Sequence, residues 1–219
     1  FEDLESGYLE RVFRAKRDYI TRFDPDGWRK PFIMGEIGMN RRGPVEPQGG
    51  EDSHPKVYEH IYGVWMTDYN VQCARGGMQG TIAWDLDDAM HIVLDKDNQW
   101  PDIRKTLFKK WGFFNSLAEE IGHPEDARLR PWFYSWSLMS RCFPPGCAIV
   151  ASRQPEVSGL RSLAARTGSG DCTVALVNNS EQPLDVKLQW VGATNLVFHQ
   201  YNYFEGDRLT DEQGCPKPR

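Results

Sequence analysis

Residues 30–38 read Lys-Pro-Phe-Ile-Met-Gly-Glu-Ile-Gly, a short apolar run that ends around a carboxylate, Glu36. A similar run, Gly-Met-Gln-Gly-Thr-Ile-Ala-Trp-Asp, fills residues 77–85 and ends on Trp84 and Asp85. Both runs predict buried parallel strands, because such strands are short, apolar and bounded by turn residues. A charge at the end of an apolar strand is costly unless it is paired or used, so Glu36 is the residue that needs an explanation.

Amphipathic segments surround the two predicted strands. Apolar residues recur every three or four positions, which predicts three helices, over residues 4–23, 57–73 and 103–121. The order helix–strand–helix–strand–helix is typical of an α/β fold with a parallel sheet. Two strands neither cover three such helices nor satisfy their own edges, so residues 1–127 are predicted to be the C-terminal part of a larger α/β domain.

The chain changes character after about residue 128, where short β-prone runs alternate with turn signals such as Pro-Pro-Gly and Gly-Ser-Gly. The predicted strands are residues 132–140, 147–152, 160–165, 173–178, 184–190 and 195–204. Apolar and polar residues alternate strictly over 184–190, as in an antiparallel strand with one buried face. The sequence therefore predicts a second domain, a small antiparallel β-sandwich over residues 128–219.

Composition excludes several classes of function. The net charge of −5, with both signs mixed along the chain, gives no footprint for nucleic acid. No run of about 18 apolar residues is present, so no membrane-spanning segment is predicted. The five cysteines follow no metal-ligand spacing, and neither a metal nor a cofactor is predicted. For Cys142 and Cys147, a bridge across the Pro-Pro-Gly turn and a pair of buried thiols both stay open.

The strand ends suggest a ligand site. In parallel α/β folds, ligands meet the carboxyl ends of the strands and the loops that follow. Glu36, Trp84 and Asp85 lie there by this prediction, while Asn40 and His91 lie in the following loops. A carboxylate beside an indole suits sugar chemistry, because the anion attacks or stabilises an oxocarbenium-like carbon while the sugar stacks on the flat ring. Asp85, Asn40 and His91 are candidates for bonding substrate hydroxyls.

Each candidate also has a purely structural interpretation. Glu36 could be bonded to an arginine or a backbone amide at the strand end, and Trp84 could be a core residue. Asp85 could belong to a solvated acidic loop. His91 and His54, which both lie in site-facing loops, are equally well explained as satisfied or exposed histidines.

The two strand ends resemble the retaining glycoside hydrolases of the large (β/α)8-barrel clan, which includes cellulase- and mannanase-type family-5 enzymes. In that clan the seventh strand ends in an apolar-Gly/Thr-Glu-x-Gly segment whose Glu is the nucleophile, and the eighth ends in a Trp beneath the sugar. Residues 32–38 and 80–84 match this pattern and its spacing. The resemblance implies Glu36 as the nucleophile, Trp84 as the sugar platform, and about the last two strands and three helices of a TIM barrel before the sandwich.

One departure from the clan concerns its general acid/base, a Glu preceded by Asn, since the chain contains no Asn-Glu dipeptide. Retaining hydrolysis requires a second carboxyl group about 5–5.5 Å from the nucleophile. We therefore expect the chain to be inactive alone, with the missing N-terminal barrel segment of the same protein as its partner and a β-linked poly- or oligosaccharide as its substrate.

Two further expectations accompany the resemblance. It implies a secreted or periplasmic enzyme, although no export signal is visible in the chain. The alternative function is a non-catalytic carbohydrate-binding or scaffold protein that keeps the aromatic platform. A hydrolase built on a Gly-x-Ser-x-Gly elbow is disfavoured, because that motif is absent.

Overall fold

The computed structural model describes residues 2–39, 54, 56–91, 107–154, 156–191 and 196–219. Its helices are α1 (Glu2–Glu5), α2 (Tyr8–Phe23), α3 (His60–Arg75) and α4 (Pro131–Cys142). Its strands are β1 (Ile33–Ile37), β2 (Gly80–Ala83), β3 (Ala89–His91), β4 (Leu107–Lys109), β5 (Ala148–Val150), β6 (Leu160–Arg166) and β7 (Cys172–Asn178). None of these helices has the length and apolarity that a bilayer span needs.

The two predicted strands and their parallel pairing are confirmed, but their burial is not, since Ile33 of β1 and Ile82 of β2 are 53% and 57% exposed. The two apolar runs form β1 and β2, which pair in parallel with Ile33 opposite Gly80 and Met34 opposite Thr81. Helices α2 and α3 form within the segments where the 3.6-residue periodicity predicts them. The segment between α3 and β2 turns at Gly77, whose φ of +91° is a conformation that side chains with a Cβ rarely adopt.

The main core joins the parallel strands to helices from both predicted domains. Its fully buried members include Ile37 of β1, Tyr62 and Met66 of α3, and Trp132 of α4. The Trp132 ring lies 3.9 Å from the Phe113 ring, centroid to centroid. The core therefore crosses the boundary at residue 128, because α4 packs with the α/β part rather than apart from it.

The predicted third helix, over residues 103–121, is wrong for its described part. Residues 107–109 form β4, and residues 111–123 run through turns. Gly112 packs so tightly on the backbone of Asp87 that a Cβ there would lie 2.4 Å from the Asp87 carbonyl carbon. Asn115 accepts a hydrogen bond from Leu117 N at 2.9 Å, a local turn that competes with helix.

The predicted strand over residues 132–140 is also wrong, because this segment forms α4. Its aromatic content favours strand, yet Trp132, Ser135 and Met139 recur at helical spacing and are buried. Pro131 occupies the first turn, where the missing N–H costs nothing. Packing against α3 thus outweighs β propensity.

The C-terminal part contains one antiparallel sheet within the described residues, with strand order β5–β6–β7. The predicted strands over 147–152, 160–165 and 173–178 are confirmed in it. Those over 184–190 and 195–204 are wrong for their described residues, which hold only an isolated bridge from Phe204 to Asp207. Alternation of apolar residues makes a strand only where a neighbouring strand takes up its backbone hydrogen bonds. The barrel fragment and the sandwich stay predictions.

The three-stranded sheet is attached to α3 through a buried ion pair. The Arg161 guanidinium of β6 donates to the Asp68 carboxylate of α3 and to the carbonyls of Leu4 and Glu5. Asp68 also accepts from Asn179 Nδ2 at 3.1 Å. These bonds fix β6 against the helix layer that supports β1 and β2.

Candidate functional site

A β-bulge at the end of β1 determines where Glu36 points. Three steps along β1, from Met34 to Ile37, match two steps along β2, from Thr81 to Ala83. The extra residue lets both Met34 and Ile37 pack against the helix-side core while Glu36 between them is exposed. Bulges re-aim side chains and are frequent beside active sites.

The end of β2 presents Trp84 on the same open face. Thr81 donates to Asn70 of α3 at 2.9 Å and Ala83 packs against the core, so both face the helices. Alternation then turns Ile82 and Trp84 to the other face, where they are 57% and 38% exposed. Trp84 N donates to the Ile37 carbonyl at 2.8 Å, which continues the pairing of the two strands.

Glu36 and Trp84 are therefore brought to the same end and the same face of one parallel sheet, as the sequence predicts. Among the described residues, no hydrogen bond or ion pair engages the Glu36 carboxylate, which is exposed. The interpretation of Glu36 as a strand-end ion pair finds no support in this part of the chain. Both side chains are exposed where the paired strands end.

The acidic residues after Trp84 have mixed roles. The Trp84–Asp85 peptide is cis. Asp85 N donates to the Trp111 carbonyl at 3.3 Å, while its carboxylate accepts from Leu86 N at 2.7 Å. Asp85 is partly exposed where the chain leaves β2, so its carboxylate is accessible to a ligand. Asp87 stabilises the loop instead, because its Oδ1 accepts a hydrogen bond from the backbone amide of Ser116 at 2.8 Å.

Asp88 holds the loop from beneath through a buried ion pair with Arg130. The guanidinium donates to Asp88 Oδ1 at 2.6 Å and to Oδ2 at 2.5 Å, and the two side chains are 0% and 2% exposed. Arg130 also donates to the Gly112 carbonyl at 2.7 Å, and Gly112 N donates back to Asp88 Oδ1 at 2.9 Å. This fork anchors the segment that follows Trp84 to the start of α4.

Aromatic rings support Trp84 from the side. Its ring centroid lies 6.0 Å from that of Trp111, with the planes tilted by 51°. Trp111 in turn stacks on His54, at 6.0 Å and 25°, and His54 stacks on Tyr62, at 5.6 Å and 23°. The sequence pattern predicts Trp111 in a helix over residues 103–121, which is wrong, and nothing in it brings Trp111 near Tyr62, so this row of rings was missed.

Two further candidates have side chains outside the described residues. Asn40 lies outside them altogether. The backbone of His91 ends β3, where it pairs with Leu107 of β4 in an antiparallel ladder. The proposal that these side chains bond substrate hydroxyls stays a prediction.

Cysteines and metal-binding residues add no chemistry in the described part. Cys142 and Cys147 are free thiols, and so are the other three cysteines. Within the ranges described, no three His, Cys, Asp or Glu side chains converge as metal ligands would.

Comparison with known proteins adds no assignment. The chain matches no protein-family model, and no curated protein matches it significantly. The resemblance carried by residues 32–38 and 80–84 stays a prediction, and any function rests on the geometry of the strand ends.

Proposed function

We propose that the chain is the C-terminal part of a retaining glycoside hydrolase acting on a β-linked poly- or oligosaccharide. One observation carries the proposal: a bulge turns the exposed carboxylate of Glu36 onto the face where the adjacent parallel strand presents Trp84. An anion beside an indole matches what glycosyl transfer to an enzyme requires. The same resemblance places the protein in the periplasm or the extracellular medium.

Glu36 acts as the nucleophile in this proposal. One carboxylate oxygen attacks the anomeric carbon, the bond to the leaving-group oxygen breaks, and a glycosyl ester forms on Glu36. Water then attacks the same carbon and releases the sugar with its original configuration. Trp84 stacks beneath the sugar ring, and Asp85 at the mouth is placed to bond a hydroxyl.

A second carboxyl group must protonate the leaving-group oxygen and later deprotonate the water. The resemblance assigns it to an Asn-Glu pair that this chain lacks, so we propose that a further α/β segment of the same protein supplies it. Three surfaces support such a partner. The open face carries exposed Ile33 and Ile82, β1 has one edge without a strand among the described residues, and a groove of about 460 Å³ along α2 is lined by Val12, Tyr19 and Phe32.

Unpaired strand edges and exposed apolar grooves are unfavourable in water. A neighbouring β/α unit would pair the β1 edge and cover the groove at once. The same addition would place new strand ends around Glu36, which is where the second carboxyl group has to be.

The test uses the polypeptide extended by that segment and compares its Glu36→Gln variant with the unchanged form. Glu36→Gln should lower turnover by about 10⁴-fold or more and leave binding of the oligosaccharide intact, because the amide cannot form the ester. Glu181→Gln, the same change at an exposed glutamate after β7, is the matched control and should hydrolyse normally. Full turnover by Glu36→Gln would refute the proposed role.

The alternative is a carbohydrate-binding protein without chemistry, which is favoured by the exposed indole of Trp84 and the Trp111 ring beside it. It gives a different result in the same experiment. A binding protein would show no turnover with or without the extension, and Glu36→Gln would change sugar affinity only slightly. Trp84→Ala would weaken binding under both functions, so it does not separate them.

A further inference from the structure

His54 lies where three parts of the proposed site meet. It is only 7% exposed, and its backbone N donates to the Lys110 carbonyl at 3.2 Å. Its ring is stacked against Tyr62 of α3 and against Trp111. A Cβ on Gly38 would lie 2.5 Å from His54 Nε2 and closer still to Cε1. The ring therefore touches the end of β1, helix α3 and the segment that carries Trp111.

A hydrogen bond joins the His54 imidazole to Tyr62 of α3. The Tyr62 hydroxyl lies 2.5 Å from His54 Nδ1 and accepts from Met39 N at 3.4 Å. Burial raises the pKa of Tyr62 well above its usual range, so the phenol keeps its proton. With the phenol as donor to Nδ1, a neutral imidazole would carry its own proton on Nε2, at the edge that meets Gly38.

We propose that His54 is a positioning residue of the site, held by Tyr62 as the Nε2–H tautomer so that its ring sets the spacing between Glu36 and Trp84. Glu36 is fixed through Gly38, two residues further along the chain and just past the end of β1, and Trp84 is fixed through the ring of Trp111. The inference rests on the proposed function, because it assigns His54 a role in the geometry of that reaction. A displacement of about 1 Å in such a site costs roughly 10²-fold in rate.

The kinetic test uses the polypeptide extended by the segment that supplies the acid/base, with aryl glycosides as substrates. His54→Phe keeps the ring volume but cannot accept from Tyr62, and Tyr62→Phe removes the donor. Both variants should lower kcat by about 10–100-fold with KM changed by less than about 3-fold, because orientation rather than binding is lost. His54→Asn, whose amide oxygen can accept near the Nδ1 position, should recover part of kcat. Unchanged kcat in Tyr62→Phe, or a change in KM alone in either phenylalanine variant, would overturn the inference.

A spectroscopic readout needs no activity. In the chain labelled with ¹⁵N-histidine, the His54 ring should show an unprotonated Nδ1 and a protonated Nε2 at neutral pH, assigned from the signal lost in His54→Asn. Tyr62→Phe should lose this fixed pattern, whereas the signals of exposed His123 should not change. A His54 ring protonated on Nδ1 in the unchanged chain would contradict the inference.

The two failures are distinguishable. If Glu36→Gln turns over normally, the proposed function fails, whatever the His54 signals show. If Glu36→Gln is inactive while Tyr62→Phe has normal kcat, only the positioning role fails. Tyr62→Phe removes one hydroxyl and keeps the ring, so it tests the role even if His54→Phe does not fold.

Discussion

Removal of the Asp88 carboxylate should destabilise the fold by about 3–5 kcal/mol, because the buried Arg130 guanidinium then keeps only the Asp126 carboxylate, 4.0 Å away, as an ionic partner. The two side chains are 0% and 2% exposed and are joined by hydrogen bonds of 2.6 and 2.5 Å. Two bonds to a charged group are worth roughly 1.5–3 kcal/mol each, or about 3–6 kcal/mol together, which overlaps that range. A loss of about 3–5 kcal/mol raises the unfolded fraction by roughly 10²–10⁴-fold, and it is a large part of the about 5–15 kcal/mol of stability that small domains have in total.

The assay is urea unfolding of Asp88→Ala, followed by circular dichroism and by tryptophan fluorescence. The control is Glu59→Ala, which breaks an exposed pair with Lys56 at 3.0 Å and should cost less than about 1 kcal/mol. Adding Arg130→Met to Asp88→Ala should recover much of the loss, because no unpaired charge then remains. If Asp88→Ala costs no more than Glu59→Ala, the anchoring of the loop after Trp84 by this pair is refuted.

Three further changes test the packing around the site. Trp132→Ala should cost about 3–5 kcal/mol in urea unfolding, since it empties the centre of the core; a loss below about 1 kcal/mol would contradict that packing. Gly38→Ala should cost about 1–3 kcal/mol and broaden the His54 ring signals, because its Cβ overlaps the imidazole; unchanged stability and spectra would argue against the contact. Burial lowers the pKa of His60, which stacks on Tyr203 at 4.5 Å, below its ordinary value of 6.5. As the pH falls through 6.5, His60 of the unfolded chain binds a proton before His60 of the folded chain does. The free energy of unfolding should therefore decline below about pH 6.5, and His60 should make no contribution to its pH dependence above about pH 7.5. His60→Asn should remove this component from the difference in unfolding free energy between neutral and mildly acidic pH, and an identical pH dependence would refute it.

Part of the fold follows from local sequence patterns. β1 and β2 are predictable because short apolar runs between turn residues have few other solutions, and α2 and α3 because their apolar stripes repeat over four turns or more. α4 is not, because its aromatic residues favour strand until α3 offers a surface for them. The turns after Trp111 are not predictable for a similar reason. Their apolar spacing fits a helix, and only the close approach of Gly112 to the backbone of Asp87 prevents one.

The candidate site is predictable in outline and not in detail. The ends of two adjacent parallel strands bring Glu36 and Trp84 together from topology alone. The bulge that turns Glu36 to the open face is a one-residue offset in register, which no periodicity shows. The stacking of His54 between Tyr62 and Trp111 brings Trp111 against residues about fifty positions earlier in the chain, so no local pattern indicates it.

The central claim is that Glu36 is the attacking carboxylate, and covalent trapping tests it most directly. A 2-deoxy-2-fluoro glycoside with a dinitrophenolate leaving group needs no protonation of that group, so the first step does not depend on the second carboxyl group. After incubation with a set of such glycosides, proteolysis and mass spectrometry should find one sugar attached to the peptide that contains residues 31–39, and none in Glu36→Gln. A sugar attached to any other residue, or an unlabelled Glu36 in a polypeptide that hydrolyses the parent glycoside, would contradict the claim.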